Sequence, residues 1–295
     1  MPSLQSRQDP VVYGGVNRSV LDDAQIEFYK ANGFVLIESL FSESEVAILQ
    51  HELAVLQKDK RILQRPEAIA EKSAEKRALR SLFQVHFKHK LFSRLAGDQR
   101  LVDIAETILG SQVYIHQSRL NFKPGFYGKE FYWHSDFETW HVEDGMPRMR
   151  ALSVSITLTD NNEFNGPLML IPGSHQAYVA CVGETPDNHY KQSLKQQDIG
   201  VPDPESLRYL ERQRGIVAPT GKAGSVLIFD CNTMHGSNSN ISPYPRSNVF
   251  FVYNSVENKL VKPFCGKPPR PEFIASRKFT QAIDAQTIDY VSLAT

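Results

Sequence analysis

His134 and Asp136 form an HxD tripeptide inside Phe131 to His141 (FYWHSDFETWH), and a third metal-type residue, His235, lies far downstream. On an extended backbone alternate side chains share a face, so His134 and Asp136 can point at one ion. Two imidazoles and one carboxylate on three corners of an octahedral face are the ligand set of non-haem Fe(II) oxygenases, which leaves three positions for a co-substrate and oxygen. The pattern implies iron chemistry.

With nine histidines in the chain, an HxD arises readily by chance, so the order of motifs around it carries the inference. Downstream come Asn165-Gly166, the turn Pro172-Gly173-Ser174-His175, a hydrophobic run from Ser225 to Phe229, and Asp230-Cys231-Asn232-Thr233-Met234-His235-Gly236-Ser237-Asn238. Pro243 and Pro245 close a loop, after which Arg246, Asn248 and Phe250 share one face of a predicted strand. A guanidinium there can grip a carboxylate with two parallel hydrogen bonds, as a dicarboxylic keto acid chelating the iron would require at its far end. The alternative for Arg246 is a surface position on an edge strand.

The elements that must place these residues are legible in part. Asp22 to Asn32 reads as a short helix closed by Gly33, and Phe34 to Ile37 as a strand. Ser42 and Glu45 make a capping box, followed by Val46, Leu49, Leu53 and Leu56 at helical spacing, so a helix is expected from Glu43 to about Lys58 with one face on a sheet. Arg61 to Arg80 is charged and poor in large apolar residues, which suits an exposed helix or a mobile segment. Leu101, Ile104, Ala105 and Ile108 mark another amphipathic helix, ended by Gly110.

From Val113 the period changes to two. Gln117, Arg119 and Asn121 fall on one face and Ser118, Leu120 and Phe122 on the other; Leu152, Val154, Ile156 and Leu158 alternate with Ser153, Ser155, Thr157 and Thr159. Short strands divided by Asn, Gly and Pro turns indicate a double-sheet jelly roll. Its polar faces either meet solvent or line a cavity between the sheets, and the Gln, Arg, Asn face favours the cavity. The expected fold is α+β, mostly β with helical additions: a double-stranded β-helix (jelly-roll, cupin-like) core over 113–256, N-terminal helices packed on one sheet over 1–112, and an extension over 257–295, all in one domain.

Composition sets the frame. The chain has 295 residues, 41% hydrophobic content and no net charge, enough to bury a full core and without the basic stripe of a nucleic-acid binder. No apolar run approaches a membrane span and the N-terminus has no signal-like apolar segment, so a cytoplasmic protein is expected. Three cysteines without a CxxC suggest neither a disulfide framework nor a thiolate zinc site, and Cys231 reads as a small buried hydrophobe.

The ordered set of HxD, NG, PGSH, HG and Arg resembles the phytanoyl-CoA dioxygenase superfamily of Fe(II)/2-oxoglutarate oxygenases over about Val113 to Val256. Within it Trp133 to His175 (WHSDFETWHVEDGMPRMRALSVSITLTDNNEFNGPLMLIPGSH) is similar nearly continuously to the ectoine-hydroxylase branch. The resemblance implies iron ligation by His134, Asp136 and His235. It implies a 2-oxoglutarate pocket of Arg246, Ser153, Arg119, Asn121 and Phe131, with Asn248 beside it, and ectoine contacts from Gln117, Trp140 and Phe250. Plain core is the alternative for Trp140. Fe(II), 2-oxoglutarate and O2 are the implied cofactor and co-substrates, 5-hydroxyectoine the product, and a homodimer the assembly.

His141, Glu143 and Asp144 are expected in a loop, the two acids solvated, while His116 and His175 read as structural rather than as ligands. Three rival readings stay open: a zinc hydrolase, a non-catalytic jelly-roll sensor of a small ligand, and a related hydroxylase of another cyclic amino acid such as proline. Dependence on oxygen and 2-oxoglutarate separates the first two from the oxygenase class.

Overall fold

Capping chemistry sets the first helices. The computed structural model describes residues 4–15, 20–73, 76–181, 190 and 201–293. After a short strand β1 (Leu4–Ser6), helix α1 (Asp23–Asn32) starts at an Asp22 capping box and ends at Gly33, whose φ of 81° is left-handed. Strand β2 (Phe34–Ile37) follows, then α2 (Glu43–Lys58), in which the Ser42 hydroxyl accepts from the Glu45 N–H and the Glu45 carboxylate accepts from the Ser42 N–H. Its buried residues are Val46, Leu49, Leu53 and Leu56, each worth about 1.5–3 kcal/mol on removal from water.

The stretch from Arg61 to Arg80 departs from expectation. After a single 3-10 turn over Lys60–Gln64, it forms the hairpin β3 (Ala68–Ser73) and β4 (Lys76–Phe83), neither exposed helix nor unstructured. Pairing overrides the weak local preference: β4 docks on the long strand that begins at Val113, with Ser81, Leu82 and Phe83 opposite Asn121, Leu120 and Arg119. Three helices then lead into the core: α3 (Val85–Lys88), α4 (Lys90–Ala96) and α5 (Gln99–Leu109), the last closed by Gly110.

The core strands are β5 (Val113–Lys123), β6 (Phe131–His134), β7 (Ala151–Thr157), β8 (Leu168–Leu170), β9 (Ala177–Val179), β10 (Val226–Asp230), β11 (His235–Ser237) and β12 (Arg246–Ser255). Helix α6 (Asp136–Asp144) lies between β6 and β7, α7 (Pro204–Arg214) before β10, and α8 (Tyr290–Leu293) near the C-terminus. A seven-stranded antiparallel sheet, in the order β2-β10-β7-β12-β5-β4-β3, faces a three-stranded one, β6-β11-β8. This is the jelly roll, with α2 and α5 on the outer face of the larger sheet.

Alternation along the strands resolves into an apolar outer face and a polar inner one. Leu120, Phe122, Leu152, Val154, Ile156, Val249 and Phe251 join the helices in the main core, while Ser153, Ser155, Thr157 and Asn248 turn inward and are nonetheless buried. One irregularity breaks the period. Val252 pairs with Gln117 but Tyr253 pairs with Ile115, so His116 is the extra residue of a bulge. Both Val113 and Ile115 thereby stay in the outer core, and His116 is re-aimed to meet the Trp140 ring edge-on at 5.2 Å.

Candidate active site

His134 ends β6 and His235 begins β11, and the two strands pair with these residues directly opposite. Each imidazole is oriented by a carbonyl two residues back: Nδ1 of His134 lies 2.7 Å from the Tyr132 oxygen, and Nδ1 of His235 lies 2.9 Å from the Thr233 oxygen. A carbonyl only accepts, so both Nδ1 atoms carry the proton and both Nε2 lone pairs are free. These point at Asp136, 3.7 Å from Oδ1 for His134 and 3.9 Å from Oδ2 for His235.

Asp136 does not continue the strand, as the extended-backbone reading required. The backbone is extended through Ser135 (φ −105°, ψ 136°), then turns into α6 at Asp136, with the Ser135 hydroxyl accepting the Glu138 N–H. Face-sharing across one extended residue therefore brings the carboxylate beside His134, and the helix cap stops it there. The three donor atoms lie within 4.8 Å of one another. Burial and then His235 push the His134 imidazolium down to about 3, so its ring is a neutral ligand. Burial opposes ionisation of Asp136, but His235, His134 and Arg119 outweigh it and hold the carboxyl below its usual range. One carboxylate and two imidazoles, all aimed at one point, fit Fe(II).

Beside the pair of histidines is a cavity of about 70 Å³. Arg246, Asn248 and Phe250 of β12 and Arg119 and Asn121 of β5 line it, as does Phe131, whose ring centroid is 5.1 Å from that of His134. Arg246 is buried, its Nε lacks a hydrogen-bond partner, and burial alone pushes its guanidinium down to about 10. Arg119 is likewise held below its usual range by burial, against the attraction of Asp136. Its Nε has no partner, Nη1 is 3.4 Å from Gln117 Oε1, and its guanidinium lies 4.9 Å over the Phe250 ring. Neither cation forms an ion pair with an acid among the described residues. Two desolvated guanidiniums without a counter-ion are unfavourable by themselves, and an anionic ligand relieves the cost.

Ser153 sits one layer away from the cavity, donating from Oγ to Asp136 Oδ2 at 3.3 Å. Gln117 donates from Nε2 to the Ile274 carbonyl at 2.8 Å, tying the C-terminal extension to β5. Trp140 is 3% exposed and packs with Phe137, Met146, Met149, Ala151, Cys231 and Val252; it is not among the cavity's lining residues. Cys231 is the small buried hydrophobe expected. His175 is buried against Lys30 and Gly33 and His116 against Trp140, both in structural positions.

Two expectations fail here. His141, Glu143 and Asp144 belong to α6, and both acids are buried. Asp144 accepts from Arg270 Nε at 2.7 Å and Nη2 at 2.5 Å, a fork from the C-terminal extension. Burial works against that carboxylate, yet Arg270 holds it down to about 2. Residues near acids in an apparent turn look solvated until a distant cation arrives. Arg80, Lys123 and Lys129 also line the cavity. Sequence reasoning missed them; Arg80 lay in the segment read as exposed or mobile, where only Leu79, Leu82 and Phe83 around it hinted at a strand.

A family profile described as phytanoyl-CoA dioxygenase (PhyH) matches residues 29–248. The chain belongs to the phytanoyl-CoA dioxygenase family. Among family members, the ectoine dioxygenase of Bordetella bronchiseptica is 61% identical over 282 residues, covering 95% of this chain and 91% of that one. The crystal structure of EctD from S. alaskensis with 2-oxoglutarate and 5-hydroxyectoine superposes with a TM-score of 0.86 at 48% identity, covering 96% of this chain and 94% of that one. The same enzyme with bound Fe gives a TM-score of 0.85 at the same identity and coverage.

Proposed function

We propose that this chain is an Fe(II)/2-oxoglutarate-dependent ectoine hydroxylase. Ectoine, 2-oxoglutarate and O2 are converted to 5-hydroxyectoine, succinate and CO2, with one oxygen atom entering the new hydroxyl and the other the succinate carboxylate. The observation that carries the reading is the buried Arg246 guanidinium, which has no acidic ion-pair partner among the described residues, with Arg119 beside it in a cavity next to a His-Asp-His triad, in a chain 61% identical to an ectoine dioxygenase.

In this reading His134, Asp136 and His235 hold Fe(II), which when bound supplies the redox chemistry coupling oxidative decarboxylation of 2-oxoglutarate to C–H hydroxylation. Arg246 takes the far carboxylate of 2-oxoglutarate, and Asn248, Asn121, Arg119 and Phe131 shape its pocket. Ser153 steadies the carboxylate of Asp136 by a hydrogen bond. Gln117, Phe250 and Trp140 are assigned to ectoine, a small zwitterion whose delocalised cation suits an aromatic face. Of these, Phe250 lines the cavity and Gln117 lies beside Arg119, which also lines it, while Trp140 is buried in the cluster with Phe137, Met146 and Cys231. The protein's work is to orient one C–H bond and exclude water, gains that come from fixed geometry.

The jelly roll over 113–256 carries the site, the helices of 1–112 back its larger sheet, and 257–295 closes over α6, all as one domain. Among the described residues no helix is long and apolar enough to cross a membrane, in keeping with a cytoplasmic enzyme acting on a small molecule; a homodimer completes the proposal. Anaerobically iron-loaded protein given 2-oxoglutarate and O2 should release succinate in step with an oxygen-atom mass gain on ectoine. Succinate that ectoine fails to accelerate would redirect the substrate to another cyclic amino acid, and no succinate at all would favour a sensor or hydrolase.

A further inference from the structure

Asp230 to Thr233, between β10 and β11, orients two of the three candidate metal ligands. The Thr233 carbonyl accepts from His235 Nδ1 at 2.9 Å and so aims Nε2 at the site. On the other side, the Cys231 carbonyl accepts the Phe137 N–H at 2.8 Å, fixing the first turn of α6 that presents Asp136. A small shift of this turn therefore moves two donor atoms together.

What pins the turn comes from the other end of the chain. Arg7 follows β1, which pairs with β9 through Leu4 to Ser6. Its guanidinium donates from Nη1 to Asp230 Oδ1 at 2.8 Å, and the two side chains are 2% and 3% exposed. The same Asp230 oxygen accepts the Asn232 N–H at 2.8 Å, closing the turn. The remaining Arg7 donors reach the carbonyls of Met149 and Pro10 from Nη2, at 2.9 and 3.1 Å, and of Asp9 from Nε, at 2.9 Å. A buried ion pair in which all three guanidinium nitrogens of Arg7 are engaged, between segments more than two hundred residues apart in sequence, is a rigid fastening: the planar guanidinium fixes direction as well as distance.

We propose that Arg7 is a positioning residue of the metal centre, acting through Asp230 and the 230–233 turn on His235 and Asp136. The proposal rests on the metal reading of the triad and adds to it an N-terminal segment whose role is to hold ligand geometry. Residues that orient metal ligands without touching the ion typically contribute 10- to 100-fold in affinity.

The test is titration of metal-free protein with Co(II), followed by calorimetry, in native protein, Arg7→Leu and Arg7→Lys, with thermal unfolding of each metal-free form recorded alongside. Arg7→Leu should bind Co(II) about 10- to 100-fold more weakly, and Arg7→Lys, which keeps the charge but loses the fork, should fall between it and the native protein. Should Arg7→Leu fail to fold with Asp230 left uncompensated, Arg7→Lys decides alone: weakened Co(II) binding supports the proposal, and native affinity overturns it. Variants that lose thermal stability while retaining native Co(II) affinity likewise reduce Arg7 to a fold-stabilising residue. Native protein that binds no Co(II) would instead remove the metal reading on which the proposal stands.

Discussion

Replacing Arg246 with methionine should weaken co-substrate binding while stabilising the metal-free protein, two effects of opposite sign from one buried charge. A guanidinium pushed from 12.5 to about 10 by burial carries roughly 3 kcal/mol of unfavourable desolvation at neutral pH. Because its folded-state affinity for the proton is lowered, the cation destabilises the folded state at every pH where it remains charged. No side-chain hydrogen bond is broken at Nε by its removal, since none is made, and an unbranched Met replaces the apolar stem of the arginine without its charge. A gain of about 1–3 kcal/mol in the metal-free, ligand-free protein follows, or a few degrees in Tm. Against this, a dicarboxylic co-substrate loses its buried ionic partner, at a cost of about 2–5 kcal/mol, so the KM for 2-oxoglutarate should rise roughly 30-fold or more. Ectoine KM should move by less than about 3-fold, because the proposed function assigns Arg246 to the other ligand. Steady-state succinate formation with each substrate varied in turn, together with thermal unfolding of the metal-free protein, reads both signs. An equal rise in both KM values, or a destabilised protein with an unchanged 2-oxoglutarate KM, would refute the reasoning.

Asp144→Asn should cost at least about 2 kcal/mol near pH 6, and the gap from the native protein should close between about pH 4 and pH 2. The folded Asp144 carboxyl lies at about 2 against an ordinary 3.8, so its stabilisation is present above the unfolded value and lost as pH falls through the folded one. Urea unfolding of both proteins across that range measures it, and a gap independent of pH would show that the ion pair with Arg270 is not its source. Gly33→Ala should destabilise by more than about 2 kcal/mol, because φ is 81° and the new Cβ would clash with His175 Nδ1 and meet Thr233 Oγ1 at 2.7 Å. A urea midpoint within experimental error of the native one would refute that steric reading.

Much of the site was legible because its signals are local. The capping box at Ser42, the glycines at 33 and 110, and the strict alternation from Leu152 to Thr159 each encode an element within a few residues, and each is realised. The candidate ligand set was readable from the order of motifs along the chain, and strand periodicity placed Arg246, Asn248 and Phe250 on the one face that lines the cavity. The helical start at Asp136 was not readable, because Ser135 is compatible with continuing the strand as well as with capping a helix. The bulge at His116 left no mark either: an inserted residue in a ladder is visible only once both strands are paired.

Residue types and periods in the sequence thus determined the jelly roll, its polar inner face, and the His134, Asp136, His235 and Arg246 constellation. Besides the bulge at His116 and the helical start at Asp136, tertiary structure decided that β3 and β4 extend the sheet, that Asp144 is buried against Arg270, and that Arg7 reaches Asp230. Each depends on a partner far away in sequence. A charged side chain reads as solvated by its neighbours' composition, and only the fold supplies the opposite charge that makes its burial favourable.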